Sequence, residues 1–325
     1  MSYILRRLGF YAIAAWVSIT LNFFLPRMMP GDPGSALVAR MQGRVRPETI
    51  DAIQQAYGIS DEPLIMQYLY YIRNIFSGEF GISLSQFPAP VTTVVGQAFS
   101  WTILLGLTAT ILSFLIGNVL GIVGAWRRGG LVDSVMPPLL IFVGSFPYFW
   151  LASLAVFFLS FEWGWFPLSH AYDDNLSPAF SFEFFRSVGL HLFLPAMSII
   201  LVSIGGWVLG MRNAMISTLS EDYVTMAEAK GLGQRRVMFH YAARNALLPN
   251  VTAFGMSLGF VLTGALLTEI VFAYPGLGYQ LISAVNALDY PLMQGLFLML
   301  TFSVLVANLI ADLIYVRLDP RVRGN

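Results

Sequence analysis

The residue types that perform covalent or metal chemistry are rare in this chain and lie far apart. There is no cysteine, which excludes a disulfide, a thiol nucleophile and an iron–sulfur site. The three histidines, His170, His191 and His240, are widely separated and do not form a metal-ligand motif. Lys230 is the only lysine and is followed by Gly231, so the Gly-Lys-Ser/Thr sequence of a phosphate-binding loop is absent. We therefore expect neither ATP hydrolysis by this chain nor a cofactor bound to it.

The composition indicates that these few polar groups are positioned by a membrane-embedded scaffold. Of 325 residues, 57% are apolar and only 11% are charged, whereas soluble domains carry about 25% charge. The 18 basic and 18 acidic residues cancel, so there is no overall basic field for nucleic acid. The lipid bilayer is thus a predicted partner and nucleic acid is not.

Six apolar stretches are long enough to cross a hydrocarbon layer about 30 Å thick as helices. Their runs are continuous and lack the alternation of barrel strands, so an all-α membrane protein with six transmembrane helices is predicted. An intramembrane enzyme, one alternative function, would need a pair of polar catalytic residues inside the spans. Only His191 and Asp312 lie within these stretches as candidates. The predicted spans are 8–26, 99–126, 134–161, 188–211, 245–268 and 290–315.

The distribution of arginine predicts the orientation, because short cytoplasmic loops are enriched in Arg and Lys. Arginines precede the first span, follow the second, occupy the loop 212–244 and end the chain, which places both termini in the cytoplasm. The polar stretch 31–98 is then extracytoplasmic, and helical patterns at 47–53 and 62–76 predict a small helical insertion there. The predicted organisation is an N-terminal span 1–30, the insertion 31–98, a five-span core 99–316 and a cytoplasmic tail 317–325.

The longest inward loop, residues 212–249, contains a short predicted helix from Glu221 to Lys230. Ser220, Glu221 and Asp222 favour a helix start, and Gly231 and Gly233 favour a stop. The small residues Ala227, Ala229 and Gly231 would let a groove of another protein approach the backbone closely. An interfacial helix lying on lipid is the alternative interpretation of the same pattern.

This loop resembles the cytoplasmic coupling loop, or EAA loop, of ABC-importer permeases. Thr225-Met226-Ala227 stands where that pattern has Glu-Ala-Ala, Gly231 stands at its glycine, and Leu248-Pro249 at its closing Leu-Pro. Thr225 and Met226 replace the first two residues of the Glu-Ala-Ala pattern, and the distance from Gly231 to Pro249 is longer than in the common pattern. In both respects the loop resembles that of the oligopeptide/dipeptide/nickel subfamily, and of its first ("B") permease in particular. Other segments similar to that subunit are Arg6-Arg7, residues 30–33, 78–83, Glu269 to Gly278, 289–291, Asn308 with Asp312 and Tyr315, and 319–321.

The resemblance implies a permease of the type I ABC-importer kind in the cell membrane of a prokaryote. Its partners would be a homologous second permease, two ATPase subunits that bind ATP and Mg²⁺, and an extracytoplasmic solute-binding protein. Oligopeptides or dipeptides are the expected solutes, with oligosaccharides or a nickel complex as alternatives. The residues implied in ATPase coupling are Glu221, Asp222, Thr225, Ala227, Ala229, Lys230, Gly231 and Arg235.

A second set of residues is a candidate for the solute pathway or its gate. Glu269 lies near the predicted outer end of the fifth span, where it would stay hydrated at the mouth of a pathway or pair with an arginine. Asp312 lies near the inner end of the sixth span, where pairing with a loop arginine is the simpler explanation. A secondary transporter, the other alternative, would need embedded charges for coupling ions and often an inverted repeat. The complete set is Glu269, Tyr274, Pro275, Gly276, Asn308 and Asp312.

Overall fold

A computed structural model of the chain describes residues 2–29, 63–258, 261 and 265–318. The described part is helical apart from connecting segments, the longest of which in that part is the irregular stretch 163–181, and one isolated bridge between Ile82 and Pro90. Two stretches, Val156–Glu162 and Val237–Ala243, are wound as π-helix and continue neighbouring α-helices. The α-helices are α1 Ser2–Arg27, α2 Leu64–Ser77, α3 Val91–Trp126, α4 Leu131–Gly144, α5 Tyr148–Ala155, α6 Phe182–Leu219, α7 Asp222–Ala229, α8 Gln234–Arg236, α9 Arg244–Ser257, α10 Leu266–Val271, α11 Leu277–Asn286 and α12 Tyr290–Leu318.

Four of the described helices are long and apolar enough to cross a membrane, and five candidate spans result if one bent pair is counted as a single span. The four contain the segments Gly9–Arg27, Val91–Trp126, Phe182–Leu219 and Tyr290–Ile310, which confirms four of the predicted spans. The fifth predicted span, 245–268, falls partly outside the described residues. The predicted helix at 47–53 and the segments 30–33 and 319–321 lie wholly outside them.

The third predicted span is not one continuous helix. Leu131–Gly144 and Tyr148–Glu162 meet at an angle of 93°, with the break at residues 145–147. Pro147 has no N–H to continue the hydrogen-bond ladder, and it precedes the new helix at Tyr148. Pro137 and Pro138 lie inside α4 and Pro195 lies inside α6, so these three prolines, unlike Pro147, do not interrupt the spans.

One compact unit of the chain combines residues 1–102 with Pro275–Leu309. Within it the helix predicted at 62–76 is confirmed as α2, which packs on α1 through Phe23, Tyr68 and Tyr71, with ring centroids 5.3 and 5.6 Å from Phe23. The guanidinium of Arg27 lies 3.7 Å from the centroid of the Phe23 ring. An aromatic cluster therefore fixes α2 at the end of the first span.

In the same unit the buried carboxylate of Asp289 joins distant parts of the chain. Its Oδ2 accepts hydrogen bonds from the Ser83 hydroxyl at 2.6 Å and from the backbone N and hydroxyl of Ser85, both at 2.8 Å. Its Oδ1 accepts from the Leu292 N at 3.1 Å and so caps α12. The segment before α3 is thereby tied to the start of the last span.

The second unit comprises residues 103–274 and 310–325 and is organised around α6. Glycines of α3 let it approach α6 closely, since a Cβ at Gly117 would lie 2.5 Å from the Trp207 Cβ. A Cβ at Gly121 would lie 2.7 Å from the Met211 Cβ and from the Val208 carbonyl oxygen. This Gly-x-x-x-Gly spacing is typical of close helix packing in membranes.

Candidate functional site

The predicted short helix of the inward loop is present as α7. It begins at Asp222 with Glu221 before it, and no side chain caps its N-terminus. Ser220, predicted as part of this helix start, belongs to the end of α6, and its hydroxyl donates to the Ser217 carbonyl at 2.7 Å. The start signal therefore comes from the two acids alone, which the helix dipole stabilises.

Gly231 ends α7 in the left-handed conformation, with φ +71°. Its N donates to the Glu228 carbonyl at 2.8 Å, and the Leu232 N donates to the Ala227 carbonyl at 3.4 Å. These two bonds form a Schellman motif, in which glycine is favoured because it has no Cβ. A Cβ at Gly231 would meet nothing within 4 Å, so a substitution there would strain the backbone without crowding this chain.

The two faces of α7 have different surroundings. Val224 and Ala227 are 1% and 3% exposed and point into the chain. The opposite face carries Asp222, Thr225, Met226 and Ala229, all exposed, at the i, i+3, i+4, i+7 spacing of one helical stripe. We call these four residues the outer stripe of α7.

Ala227 is therefore turned away from the surface that a partner would contact, and a larger side chain here would meet the chain's own core. Its role in coupling stays a prediction. The other residues implied in coupling are exposed: Glu221, Asp222, Thr225, Ala229, Lys230, Gly231 and Arg235.

A buried apolar cluster lies beneath α7 and joins it to the spans. Val224 and Ala227 pack there with residues from the ends of α3 and α6 and from the segment that leads into α9. Small side chains predominate, so the backbones approach closely and the cluster leaves little room for rearrangement. Its buried members are Ile122, Ala125, Met211, Met215, Val224, Ala227, Val237, Ala242, Ala243 and Ala246.

Beside this cluster an ion pair links α4 to α6. Arg212 donates from Nε to the Asp133 Oδ1 and from Nη2 to the Asp133 Oδ2, with a distance of 3.1 Å between Nη2 and Oδ2. The Gly129 N also donates to Oδ2, at 2.9 Å. The Asp133 side chain is 5% exposed. A bidentate pair of this kind fixes both helices in register.

The helices α3, α6 and α9 also contact one another farther from α7, first through a pair of asparagines and then through a layer of aromatic rings. The Asn250 amide donates to the Asn118 Oδ1 at 2.7 Å, and the Asn118 amide donates to the Phe114 carbonyl at 2.7 Å. The rings of Phe114 and Trp207 meet edge to face with centroids 5.3 Å apart, and Phe114 lies 4.4 Å from Phe254. The three helices α3, α6 and α9 each contribute one ring.

Beyond the aromatic layer lies a partly open cavity of about 190 Å³, lined by residues of α3 and α6 and by Ser257, Val261 and Ala265. Trp207 forms part of its wall, and the hydroxyl-bearing residues Thr110, Ser113, Ser203 and Ser257 line it. The described lining residues include no charged side chain. Along α6 the order is thus cavity, aromatic layer, amide pair and apolar cluster under α7.

The candidate pathway residues have varied surroundings. Glu269 is 0% exposed, so the expectation that it stays hydrated at an open mouth is wrong for this chain. Its carbonyl accepts from the Tyr274 N at 2.8 Å. Burial raises the pKa of the Tyr274 phenol above its ordinary value, and the nearby Glu269 adds to this increase.

The remaining candidates fall in other parts of the chain. Pro275 and Gly276 directly precede α11, with Gly276 buried. Asn308 and Asp312 lie on α12 and are partly buried, while the side chain of Tyr315 is outside the described part of the chain. A role of all six residues in one pathway stays a prediction.

The structure brings together Asp173, Ser187 and His191, which the sequence did not suggest as a group. The Ser187 hydroxyl donates to the Asp173 carboxylate at 2.8 Å, and His191 Nδ1 is 2.8 Å from the Ser187 carbonyl oxygen. The serine proton is directed to the carboxylate and the imidazole to the backbone, which is not the arrangement of an activated nucleophile. His191 is hydrogen-bonded within the chain, as expected for a structural histidine.

These features define a multi-pass helical membrane protein with a short helix held at one end of its spans. The description "Binding-protein-dependent transport system inner membrane component" belongs to a family model that matches residues 117–324. A second model, for the N-terminal part of such membrane components, matches residues 1–113.

Relatives along the whole chain give the same result. The dipeptide transport system permease protein DppB of Escherichia coli (strain K12) is 33% identical over 340 residues, covering 99% of each chain. DppB of Lactococcus lactis subsp. cremoris (strain MG1363) is 31% identical over 325 residues, again covering 99% of each chain. The oligopeptide transport system permease protein AppB of Bacillus subtilis (strain 168) is 32% identical over 323 residues, covering 99% of each chain.

The chain belongs to the family of binding-protein-dependent transport system inner membrane components. It is a non-catalytic transmembrane subunit and a multi-pass inner membrane protein. The resemblance to the first permease of the oligopeptide/dipeptide/nickel subfamily, which rested on the loop 212–249 and several other segments, is confirmed.

Sequence reasoning located α7 and its glycine stop but missed the groups that hold them. A signal for the Asp133–Arg212 pair was available, because both residues flank apolar stretches on the side predicted to be cytoplasmic. The cavity had no comparable signal, since its lining residues come from three separate segments, 106–113, 199–207 and 257–265.

Proposed function

We propose that this chain is a permease subunit of an ATP-driven peptide importer, with six spans, cytoplasmic termini and an extracytoplasmic insertion. A homologous second permease completes the pathway, an extracytoplasmic binding protein delivers the solute, and two ATPase subunits bind ATP and Mg²⁺. Relatives named for dipeptide, di/tripeptide and oligopeptide transport support peptides as the solute. Oligosaccharides and a nickel complex are the less favoured solutes.

We further propose that α7 docks in a groove of one ATPase subunit through its outer stripe. The observation that carries this proposal is the division of α7 into an exposed stripe and a face buried against three other elements. A lipid-lying helix would be expected to turn a mainly apolar face outward, whereas the outer stripe combines the polar Asp222 and Thr225 with Met226 and Ala229, and Val224 and Ala227 point inward. The neighbouring exposed residues Glu221, Lys230, Gly231 and Arg235 form the rest of the contact.

The apolar cluster under α7 is the proposed route by which ATPase motion reaches the spans. Val224 and Ala227 contact the ends of α3 and α6, so α7 cannot move independently of those helices without opening a buried cluster. The Asp133–Arg212 pair adds α4 to the same body. In this proposal Glu269, Tyr274, Pro275, Gly276, Asn308 and Asp312 act in the pathway or its gate.

The docking proposal is tested with Ala229→Trp in the assembled importer. A tryptophan on the outer stripe would overpack a fitted groove at a cost of about 1–3 kcal/mol, which lowers ATPase retention roughly 5- to 150-fold. The measurement is the amount of ATPase that co-purifies with the permease, together with ATP-dependent uptake. Abundance in the membrane should stay normal, because Ala229 is exposed in this chain.

Gln234→Trp is the matched control, since Gln234 is exposed but lies on α8 outside the stripe. It should retain the ATPase and transport peptide normally. Normal ATPase retention and normal uptake by Ala229→Trp would contradict docking through the outer stripe and would favour the lipid-lying helix.

The solute class is tested by uptake into proteoliposomes that contain the complete importer and its binding protein. ATP-dependent accumulation of trialanine is expected, with no accumulation of maltotriose or Ni²⁺. Accumulation of the sugar or the metal in place of the peptide would contradict the proposed solute.

A further inference from the structure

The helix α2 carries a row of large apolar side chains that the described part of the chain leaves uncovered. Their spacing of i, i+4, i+7, i+11 places them on one helical face: Ile65, Leu69, Ile72 and Phe76. Of these, Ile65, Leu69 and Phe76 are 65%, 53% and 85% exposed. We call these four residues the apolar stripe of α2. An exposed apolar face of this size marks a contact with lipid or with another protein.

The opposite flank of α2 is polar. Each of its residues carries a hydrogen-bonding group, and Asn74 on this flank is exposed. At 3.6 residues per turn, Asn74 lies about 160° around the helix from Phe76. The flank consists of Gln67, Tyr70, Asn74 and Ser77. The helix is therefore amphipathic, with one flank suited to an apolar medium and the other to water.

The contact with α1 uses a third side of α2, between the stripe and the polar flank. The Tyr68 hydroxyl oxygen lies 2.7 Å from that of Thr20, and Gln67 Oε1 accepts from Arg27 Nη2 at 3.2 Å. Thr20 to Arg27 are the last residues of the first span and cover about 10 Å of its length. The helix α2 is therefore held at the level where that span ends.

A second contact keeps α2 close to this level. Beyond Tyr71, which packs on the first span, α2 continues for only six residues, or about 9 Å. The chain then reaches Ser83 and Ser85, which bind Asp289 directly before the last span. Since contacts with span ends lie both within α2 and shortly after it, the apolar stripe stays near the membrane boundary.

The charge of α2 favours an anionic lipid as the partner. Arg73 is the one charged residue of this helix, and it is exposed. It follows Leu69 by four residues and precedes Phe76 by three, so it borders the stripe. A long arginine side chain can reach from an apolar boundary to the phosphates of the headgroups.

The surface of α1 supports the same partner. Leu21, Phe24 and Leu25 are exposed apolar residues on the stretch of the first span that α2 contacts. In a membrane-spanning helix such residues are suited to lipid. The apolar stripe thus lies beside a surface that is already within the bilayer.

We propose that α2 is a membrane-surface helix, whose apolar stripe inserts among the lipids at the end of the first span and whose Arg73 binds the phosphates of anionic phospholipids. This adds a lipid contact outside the spans and does not depend on which solute is transported. Helices of this kind bury their apolar face about 5–10 Å into the boundary between headgroups and acyl chains. The final 10 Å or so of the first span, which α2 contacts, covers the same depth.

The insertion is tested in the assembled importer, reconstituted into vesicles of phosphatidylcholine and phosphatidylglycerol. The chain has no cysteine, so a bimane fluorophore on a single introduced cysteine reports one position, provided that the partner subunits are also made cysteine-free. The label of Phe76→Cys should be quenched by nitroxides on the lipid tails and shielded from aqueous iodide. Leu69→Cys repeats the test at an independent exposed position.

Asn74→Cys is the matched control, because Asn74 is exposed on the same helix but on the polar flank. Its label should be quenched by iodide and not by the lipid nitroxides. A helix with its side chains is about 10–12 Å wide, so the labels at positions 74 and 76 should differ in depth by about 10 Å.

The phosphate contact is tested with Arg73→Gln. A basic residue at an anionic membrane surface contributes about 1 kcal/mol, so nitroxide-labelled phosphatidylglycerol should be enriched roughly 5-fold over nitroxide-labelled phosphatidylcholine near the Leu69→Cys label. Arg73→Gln should abolish this enrichment. Arg186→Gln removes the same charge from an exposed position on α6 and should leave the enrichment unchanged.

Four outcomes would overturn the proposal. Equal iodide quenching at positions 69, 74 and 76 would show that the stripe lies in water. Shielding of positions 69 and 76 from both quenchers would show that protein covers the stripe. Shielding that appears only after the binding protein is added would assign the stripe to that partner. Unchanged enrichment of phosphatidylglycerol in Arg73→Gln would show that Arg73 does not bind the phosphates.

Discussion

The two ends of the α3–α6–α9 bundle differ in whether open space remains between their helices. At the end under α7, Gly121 leaves no space for a single Cβ against Val208 and Met211. At the other end a partly open cavity of about 190 Å³ lies between the same helices, with a mainly apolar lining that includes Trp207. The end under α7 is therefore suited to move as one packed body, whereas the cavity leaves some side chains at the other end without neighbours on one side.

The boundary between these ends is marked by the amide pair and the aromatic layer. The buried Asn250 amide donates to Asn118, and Trp207, which packs against Phe114 and Phe254, forms the wall of the cavity on that side. In the proposed importer, a displacement of α7 moves the packed end as a unit and so alters the cavity. Three substitutions test this contrast.

The largest effect is expected from Arg212→Leu, which breaks the packed end. It leaves the buried Asp133 carboxylate without its partner, and breaking a buried ion pair costs about 3–5 kcal/mol. The purified variant should melt at a clearly lower temperature and lose ATP-dependent uptake. The double variant Asp133→Leu/Arg212→Leu removes both charges and should recover most of the lost stability, since apolar replacement of a whole pair is nearly neutral. A parent-like melting temperature in the single variant would show that the pair does not hold this end together.

A smaller loss is expected from Gly121→Ala, which overpacks the same end. The new Cβ would lie 2.7 Å from the Val208 carbonyl oxygen, a backbone atom that cannot move aside alone. Overpacking of this kind costs about 1–3 kcal/mol. Gly124→Ala is the matched control on the same helix, because a Cβ there meets nothing within 4 Å. Equal stability of the two variants in thermal melting would contradict the close contact of α3 with α6.

The smallest effect is expected from Asn250→Ala, at the boundary. It removes the donor to the Asn118 Oδ1, and interhelical hydrogen bonds in membranes contribute about 0.6–1.7 kcal/mol. The melting temperature should fall slightly. If the amide pair couples the packed end to the cavity, the variant should also hydrolyse more ATP for each peptide taken up than the parent does. The double variant Asn118→Ala/Asn250→Ala should cost less than the sum of the two singles. Additive losses would show that the two amides act independently.

Local signals in the sequence were enough to predict most helices and the loop helix. The helices α3, α6 and α12 are marked by long apolar runs, and α7 is marked by two acids at its start and a glycine at its end. These signals involve only residues that are close in sequence, so they could be recognised without knowledge of the fold. The side on which α7 packs could not, because Val224 and Ala227 are buried by residues of α3 and α6 that lie far away in sequence.

Two further features depend on tertiary context in the same way. Residues 134–161 read as one apolar run, but Pro147 ends the hydrogen-bond ladder, and the chain then turns by 93°. The burial of Glu269 was also unpredictable, since nearby turn residues suggest an exposed position. A single charge in a turn-rich segment does not reveal which groups surround it.

The contact of Asp289 with Ser83 has a consequence for biosynthesis. The two residues are 206 positions apart, so the carboxylate leaves the ribosome long after both serines. Until Asp289 is synthesised, the hydroxyls of Ser83 and Ser85 and the backbone N of Ser85 lack this acceptor. Residues 83–85 therefore gain these three hydrogen bonds only when the chain has been extended to the start of its last span.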